Sequence, residues 1–452
     1  AENYAAGDTI IKSAAEGSVV SMITDNNGIK MDSEDSVANV LNALAGKLTY
    51  SNFVTGEKNL TGYVKIADGL TASSKELRKG DIAFSTGDGK GSYVKPGPVI
   101  PDHQITTSFT TTLTGNTDKD NEYLMGGVID EDGAYKFTKA SDITAVNGID
   151  AEKDLKIVAD KTLAITADKG IAINLTNTAV KTMDITAGKL VLNTTNSSSA
   201  MTAGTFASGK TVKITGDIDI NAKNNNSVYG ILATNADITL TGNVKAEIDG
   251  GQGGYNYSGV SALSAQGSAV RKYASKIIVN GDVDITANGN GLQANGNGAA
   301  VTVNGGGKIT VNDSSKYGGY SALRADNGTV SMNVALENNK ATAGLGNDVV
   351  LKGNLAATNA TGDAAASIIN VALDTEKSAL EGVAYMAGNN SQINMWLQNG
   401  ASWTNEVHGS TEKDWKGNSL FNGSHVTNFA GGASDAKAGN IFQKDANSLT
   451  ID

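Results

Sequence analysis

From about residue 150 to the end, apolar residues alternate with polar ones in short runs, each stopped by Asn, Asp or Gly. ADITLTGNVKAEI (236–248) and KIIVNGDVDITA (276–287) are examples. Alternation with period two marks strands, because successive side chains leave a strand on opposite faces. The runs also recur. TGDIDINA (215–222) and NGDVDITA (280–287) are near copies, and GNVKAEI (242–248) shares a glycine-then-β-branched shape with GGKITVN (306–312). A second series, VYGIL, GVSAL, GNGL and YSAL, ends at Leu232, Leu263, Leu292 and Leu323, in steps of 31, 29 and 31. A period near 30 is the sign of a solenoid. At ~3.3 Å per residue, such a repeat supplies three short strands and three turns, one coil of a column whose strands stack about 4.8 Å apart. The pattern predicts an all-β chain built as a right-handed parallel β-helix over 106–452. A string of β-sandwich domains is the competing architecture, and it produces no such period.

Residues 1–95 follow a different pattern and predict a smaller α+β or irregular β unit. EDSVANVLNALAG (34–46) places Val37, Val40, Leu41 and Leu44 at helical spacing, with Ser33 as N-cap and Gly46 as stop. LTGYVKIADGL (60–70) and KGDIAFSTGDGKGSYV (80–94) read as strands joined by tight turns. The three prolines, Pro96, Pro98 and Pro101, mark a boundary at 96–105, because proline cannot continue a ladder. The β-helix then divides into 106–373 and a terminal part, 374–452.

Composition sharpens this picture. Glycine accounts for 54 of 452 residues and aromatic residues for 5%, as expected for coils with tight corners and small interior side chains. Two of the three tryptophans, Trp396 and Trp403, fall with Phe421 and Phe429 in the last part of the chain. A β-helix must cover its exposed final coil, so these four residues are expected to form an aromatic end-cap. The net charge of -11 opposes a phosphate-binding surface, so nucleic acid is not an expected partner. No apolar run approaches the ~18 residues of a membrane-spanning helix, and the start AENYAAGDTI has neither an initiator Met nor a signal-type apolar region, as in an excised or processed piece. The absence of cysteine removes disulfide, thiol and thiolate-zinc chemistry.

The order SALEGVAYMAGNNSQINMWLQNGASWTNEV, SHVTNFAGG, NSLTID over 374–452 resembles the C-terminal part of bacterial autotransporter passenger domains. That family's pattern runs Ser-x-Leu-x-Gly, a short strand, Leu-x-x-Gly-Ala/Ser-x-Trp, a strand with glycines, and a final Leu-Thr-Ile/Val. The matching positions are Ser378, Leu380 and Gly382; Leu397, Gly400, Ala401 and Trp403; Val426 and Phe429; and Leu449 to Ile451. An insertion holding Trp415 separates Trp403 from Val426. The family's membrane-embedded barrel has no counterpart in this sequence. The resemblance implies a secreted or surface-displayed passenger of a bacterium with two membranes, acting as an adhesin toward a host protein, matrix or glycan. Self-association in aggregates or biofilm, and a polysaccharide lyase or hydrolase built on a β-helix, are the other classes it leaves open.

Candidate chemistry is sparse, and no enzyme activity or cofactor is expected. The histidines are His103, His408 and His425, and none lies in a nucleophile motif such as Gly-x-Ser-x-Gly; all three are expected in solvated loops. Asp217 with Asp219, and Asp282 with Asp284, project on one side of a strand and could align by stacking into a carboxylate site, but each pair alternates with inward Ile or Val, so a soluble outer face is the role read for them. GDGKG (87–91) and DNNGIKMDSED (25–35) are acidic and glycine-rich, yet they miss the EF-hand spacing, so no metal is assigned. Lys-Gly-Asp at 79–81 is read as a turn. The longest turns, DGGQGGYNYSG (249–259) and NDSSKYGGY (312–320), bear tyrosines. Tyr257 and Tyr317 are two repeats apart, which puts them about 10 Å apart on one side of the column. With Tyr255 and Tyr320 they form the candidate ligand-binding surface, tyrosine being favoured in recognition.

Overall fold

A computed structural model describes residues 148–452, except 150, 152–153, 160, 168–169, 251–258, 313–319, 359–364, 389, 409–420, 422, 432–436 and 445–447; before residue 148 it describes only short strands. The chain divides into two units, Ala1–Ile105 with Tyr123–Val128, and Thr106–Glu122 with Ile129–Asp452. In the first, Val19–Ser21 pairs with Lys47–Thr49, Ile29–Met31 pairs with Phe53–Thr55, and Val64–Ala67, Ser92–Lys95 and Ile82–Ser85 form an antiparallel sheet. The expected helix at 34–46 and the boundary at 96–105 lie outside the described residues.

The second unit is a parallel β-helix. Each coil contributes one strand to each of three faces. Among the described residues, first-face strands start at 135, 155, 182, 210, 236, 275, 299, 329, 367, 391 and 428, and the eleven coils they open are numbered in that order; Thr110–Leu113 stacks on the second face ahead of them. In coils 2, 3 and 4 the single strands Leu155–Asp168, Thr182–Thr195 and Lys210–Asn224 run through the corner and serve both the first and the second face. A register shift between Thr186 and Lys189 marks that corner in coil 3.

Alternation along each strand sends one set of side chains inward, and in-register stacking turns that set into ladders. On the first face one ladder runs Ile157, Ile185, Ile214, Leu240, Val279, Val303, Met332, Val371, Met395 and Phe429. The second face stacks Ile165, Leu192, Ile220, Ala246, Ile285, Ile309, Leu351, Leu380, Trp403 and Ile441. On the third face, Ile173, Met201, Ile231, Leu263, Leu292, Leu323 and Leu355 stack. Full burial of each Leu, Ile or Met contributes roughly 1.5–3 kcal/mol. The leucine series read from the sequence is therefore one residue out at its first member. Ile231, not Leu232, stacks on Leu263, and Leu232 is only half-buried.

The corners are built from polar groups and glycine. Between the first and second faces, Asp217 Oδ1 accepts the Asn243 N–H (3.0 Å), Asn243 Oδ1 accepts the Asp282 N–H (3.0 Å), and Asp282 Oδ1 accepts the Gly306 N–H (2.8 Å). Each coil thus satisfies a backbone donor of the next that no strand reaches. Beside that ladder, a Cβ on Gly242 would lie 2.3 Å from the Gly216 carbonyl oxygen, and one on Gly281 2.2 Å from that of Gly242. In coil 8 this corner carries an antiparallel hairpin, Val334–Glu337 with Lys340–Gly344, turning through Asn338 (φ 51°) and Asn339 (φ 61°). Left-handed geometry at two successive residues is the hairpin turn that matches strand twist. Outside the first face, Asn370 Nδ2 donates to Ser331 Oγ (3.0 Å), Asn394 Nδ2 to Asn370 Oδ1 (2.7 Å) and Asn428 Nδ2 to Asn394 Oδ1 (2.6 Å), an amide ladder across coils 8–11.

Candidate interaction surface

Of the four tyrosines expected to bind a ligand, Tyr255, Tyr257 and Tyr317 lie outside the described residues. The described strands before and after them are second-face and third-face strands, Val244–Gly250 and Val260–Gln266 in coil 5 and Gly307–Val311 and Ser321–Asp326 in coil 7. Tyr320 is half-buried. Burial raises the Tyr229 hydroxyl above its ordinary range, and Tyr320 adds to the effect, so these two phenols are near neighbours.

The aromatic residues assigned to the end occupy three different environments. Trp403 is fully buried inside coil 10, a rung of the second-face ladder, and its Nε1–H donates to the Gly382 carbonyl (2.9 Å). Phe429 stacks on Met395 in the last coil and is half-buried. Trp396, flanked in register by Ala372 and Ala430, alternates with the inward Met395 and Leu397 and is also half-buried. Phe421, 4% exposed, packs with Ala356, Val383, Val407 and the edge of Tyr385 (ring centroids 5.2 Å apart), a small core away from the ladders.

The remaining candidates also resolve into structural contacts. His408 is half-buried rather than solvated: its Nε2 meets the Val311 carbonyl (2.7 Å), its N–H donates to Asn354 Oδ1 (3.0 Å), and its Nδ1 lies 4.0 Å from Glu381, so it spans coils 7, 8 and 9. His425 Nε2 pairs with Asp452 (2.7 Å). Asp217 and Asp282 sit at the corner described above, Asp219 pairs with Lys189 (2.6 Å), and Asp284 stands in register between Lys245 and Lys308. The carboxylates are thus spread among cations and backbone donors. Among the described residues no three His, Cys, Asp or Glu side chains gather around a common point. His103, the tripeptide at 79–81 and the two acidic glycine-rich stretches fall in the N-terminal part, where no side chain is described.

A surface that the sequence patterns did not single out lies where the third face turns back to the first. Two long turns, 204–209 between coils 3 and 4 and 267–274 between coils 5 and 6, flank the tight turn at Asn235 (φ 55°). Each is closed on itself by reciprocal backbone bonds, Thr205 with Ser208 and Ser268 with Tyr273. The turns are two coils apart, about 10 Å, and they touch. The Arg271 guanidinium lies 3.8 Å from the centre of the Phe206 ring, and Phe206 and Tyr273 have centroids 5.5 Å apart at 40°. Cation–π contact and ring packing lock the turns together. Phe206 remains 53% exposed and Val270 92% exposed.

Charge gathers around these rings. Ser208 Oγ accepts from both Lys181 Nζ (3.1 Å) and Lys210 Nζ (3.0 Å), bringing two ammonium groups to one hydroxyl. Lys210 is 4% exposed and also donates to the carbonyls of Asn177 and Val180. Burial lowers its pKa, and repulsion from Lys181 lowers it further. Burial likewise raises the Tyr273 phenol, against an opposing pull from Arg271. Elsewhere on the column Lys189, Lys223, Lys352, Lys377, Lys437 and Lys444 are ion-paired. Among the described residues none of Lys181, Arg271, Lys272 and Lys276 has a carboxylate within ion-pair distance. The turn residues that would reveal this surface in the sequence are apolar ones out of strand period, Phe206 in GTFASG and Val270 in GSAVRKYAS.

No family model matches this chain, and comparison with curated proteins and with solved structures returned no significant match.

Proposed function

We propose that this chain is an adhesive scaffold of a bacterial surface, a passenger of the autotransporter type whose β-helix presents binding elements at its corners. The observation that carries the proposal is the joined pair of turns at 204–209 and 267–274. An exposed phenylalanine and valine, a stacked arginine and unpaired lysines are held on rigid coils, so little ordering entropy opposes binding. Arginine and tyrosine beside exposed apolar area are the residue types that dominate recognition energetics. The sequence resemblance over 374–452 supports the surface location.

The test is attachment of microspheres coated with the purified chain to cultured cell layers and to extracellular matrix, under flow. Coated spheres should be retained. Spheres bearing the Phe206→Ala, Arg271→Glu variant should lose about tenfold or more, as when a binding hot spot is removed. Equal retention of both, or no retention of the unaltered chain, would defeat the proposal.

A further inference from the structure

We propose that the corner formed by Lys181, Phe206, Val270, Arg271, Lys272 and Lys276 binds a linear acidic polysaccharide running parallel to the column axis; this rests on the adhesive function proposed above and specifies its ligand. The first ground is charge. The whole chain carries -11, so an anionic polymer is repelled from most of its surface. The turn segments 176–182, 204–211, 235–237 and 267–276 together hold the cations Lys181, Lys210, Arg271, Lys272 and Lys276, and a single carboxylate, Asp237. Nearby, Asp154 is engaged by the backbone N–H groups of Lys181 (2.5 Å) and Thr182 (2.9 Å). Asp237 stands in register with Lys276, while Lys181, Arg271 and Lys272 have no carboxylate within ion-pair distance among the described residues.

The second ground is geometry. Lys181 precedes the first-face strand of coil 3, while Arg271, Lys272 and Lys276 belong to the turn before coil 6 and to the strand that follows it. At about 4.8 Å per coil these cations span roughly 14 Å along the axis. A straight polyanion meets them in succession, whereas a compact anion would reach one end only. Lys210 adds to the local field, but its ammonium is committed to the Asn177 and Val180 carbonyls and Ser208.

The third ground is the shape of the apolar part. One face of Phe206 is covered by the Arg271 guanidinium, and Tyr273 packs beside the ring at 40°. A single ring with one face already taken by the guanidinium is not the row of stacking platforms that single-stranded nucleic acid binding uses. The exposed ring and Val270 offer a convex apolar ridge that suits the C–H surfaces of sugar rings. The Arg271 guanidinium, lying over the Phe206 ring, supplies the donor fork that suits a carboxylate or sulfate.

The experiment uses surface plasmon resonance with immobilised polygalacturonate, dextran sulfate and neutral dextran, run at several salt concentrations. The unaltered chain should bind at least one of the two acidic polymers and not neutral dextran, with affinity falling as salt rises. Lys181→Glu with Arg271→Glu should weaken binding tenfold or more and lower the salt slope by about two, one for each lost contact. Phe206→Ser should weaken it several-fold with the slope unchanged, and thermal unfolding should show each variant folded. Binding of the charge-reversed variant equal to that of the unaltered chain would overturn the assignment, as would stronger binding to a single-stranded DNA oligonucleotide or to an acidic protein such as ovalbumin. Retention of coated microspheres on cell layers, with no binding to either acidic polymer, would remove the polysaccharide and leave the adhesive function standing. Loss of both would remove both.

Discussion

Single residues decide whether one coil can sit on the next. Gly242 combines φ of +137° with a Cβ position 2.3 Å from the Gly216 carbonyl oxygen and 2.6 Å from its carbon, both backbone atoms of the coil before it. Gly242→Ala must therefore push two coils apart. It is expected to cost about 3 kcal/mol or more, the range of overpacking joined to backbone strain. Gly346 has φ of +78° and nothing within 4 Å of its Cβ position, so Gly346→Ala should cost only about 1 kcal/mol of left-handed strain. Urea unfolding of the two variants separates steric stacking from backbone strain, and equal losses would argue against the stacking explanation. Asp154 makes a second residue-scale case. Its carboxylate accepts the Lys181 N–H first and the Thr182 N–H as well, which holds its pKa below the ordinary carboxylate value against a smaller opposing effect of desolvation. A depressed folded pKa stabilises the folded state above the unfolded pKa of about 3.9, and that stability is lost as pH falls through the folded value. Asp154→Asn should thus lower the melting temperature at pH 7, and the gap from the unaltered chain should close as the pH drops below about 4. A gap constant from pH 7 to pH 3 would show that the charge contributes nothing.

At the scale of elements, the chain states its strands and conceals its surfaces. The alternation in KITGDIDINA and KIIVNGDVDITA maps onto first-face and second-face strands at equivalent positions in coils 4 and 6, with GNVKAEI between them in coil 5. Inward positions are legible because parallel stacking demands similar residues at similar places, and Leu263, Leu292 and Leu323 do stack. Leu232 misleads because VYGIL puts two large aliphatic residues in succession, and only the pleat decides that Ile231 faces in. Tryptophan misleads differently. A scarce bulky residue near the end suggests a cover, but the second-face ladder widens from Leu380 to Trp403 and the indole becomes a rung, with its one polar atom satisfied by Gly382. Contacts between turns from non-adjacent coils leave no local pattern at all. Arg271 meets Phe206 at a sequence separation of 65, and His408 reaches Val311 at a separation of 97. The candidate surface was therefore hidden for the reason the fold was visible: ladders repeat, and the turns that join them do not.

For the molecule as a whole, a column in which each coil's strands stack only on those of its neighbours should tolerate changes that respect the coil and fail under those that break it. Removal of Ser275–Gly298, which holds coil 6 and its following turn, joins the turn ending at Ala274 to the strand beginning at Ala299. The new neighbours are compatible along every ladder. Leu240 would stack on Val303, Ala246 on Ile309 and Leu263 on Leu323, while Asn243 Oδ1 would face the Gly306 N–H in place of that of Asp282. This shortened chain is expected to fold with the circular dichroism of parallel strands and a single, modestly lower unfolding transition. Removal of Ser275–Gly281 alone takes out one strand and its corner, leaves the second and third faces without a feeding strand, and breaks the register of both ladders above and below. A one-residue slip already turns every side chain to the wrong side, so this smaller deletion should cost far more than the larger one. The order of the two stabilities is the decisive reading: if losing seven residues proves milder than losing the whole coil, neighbour-only stacking does not govern this protein's stability.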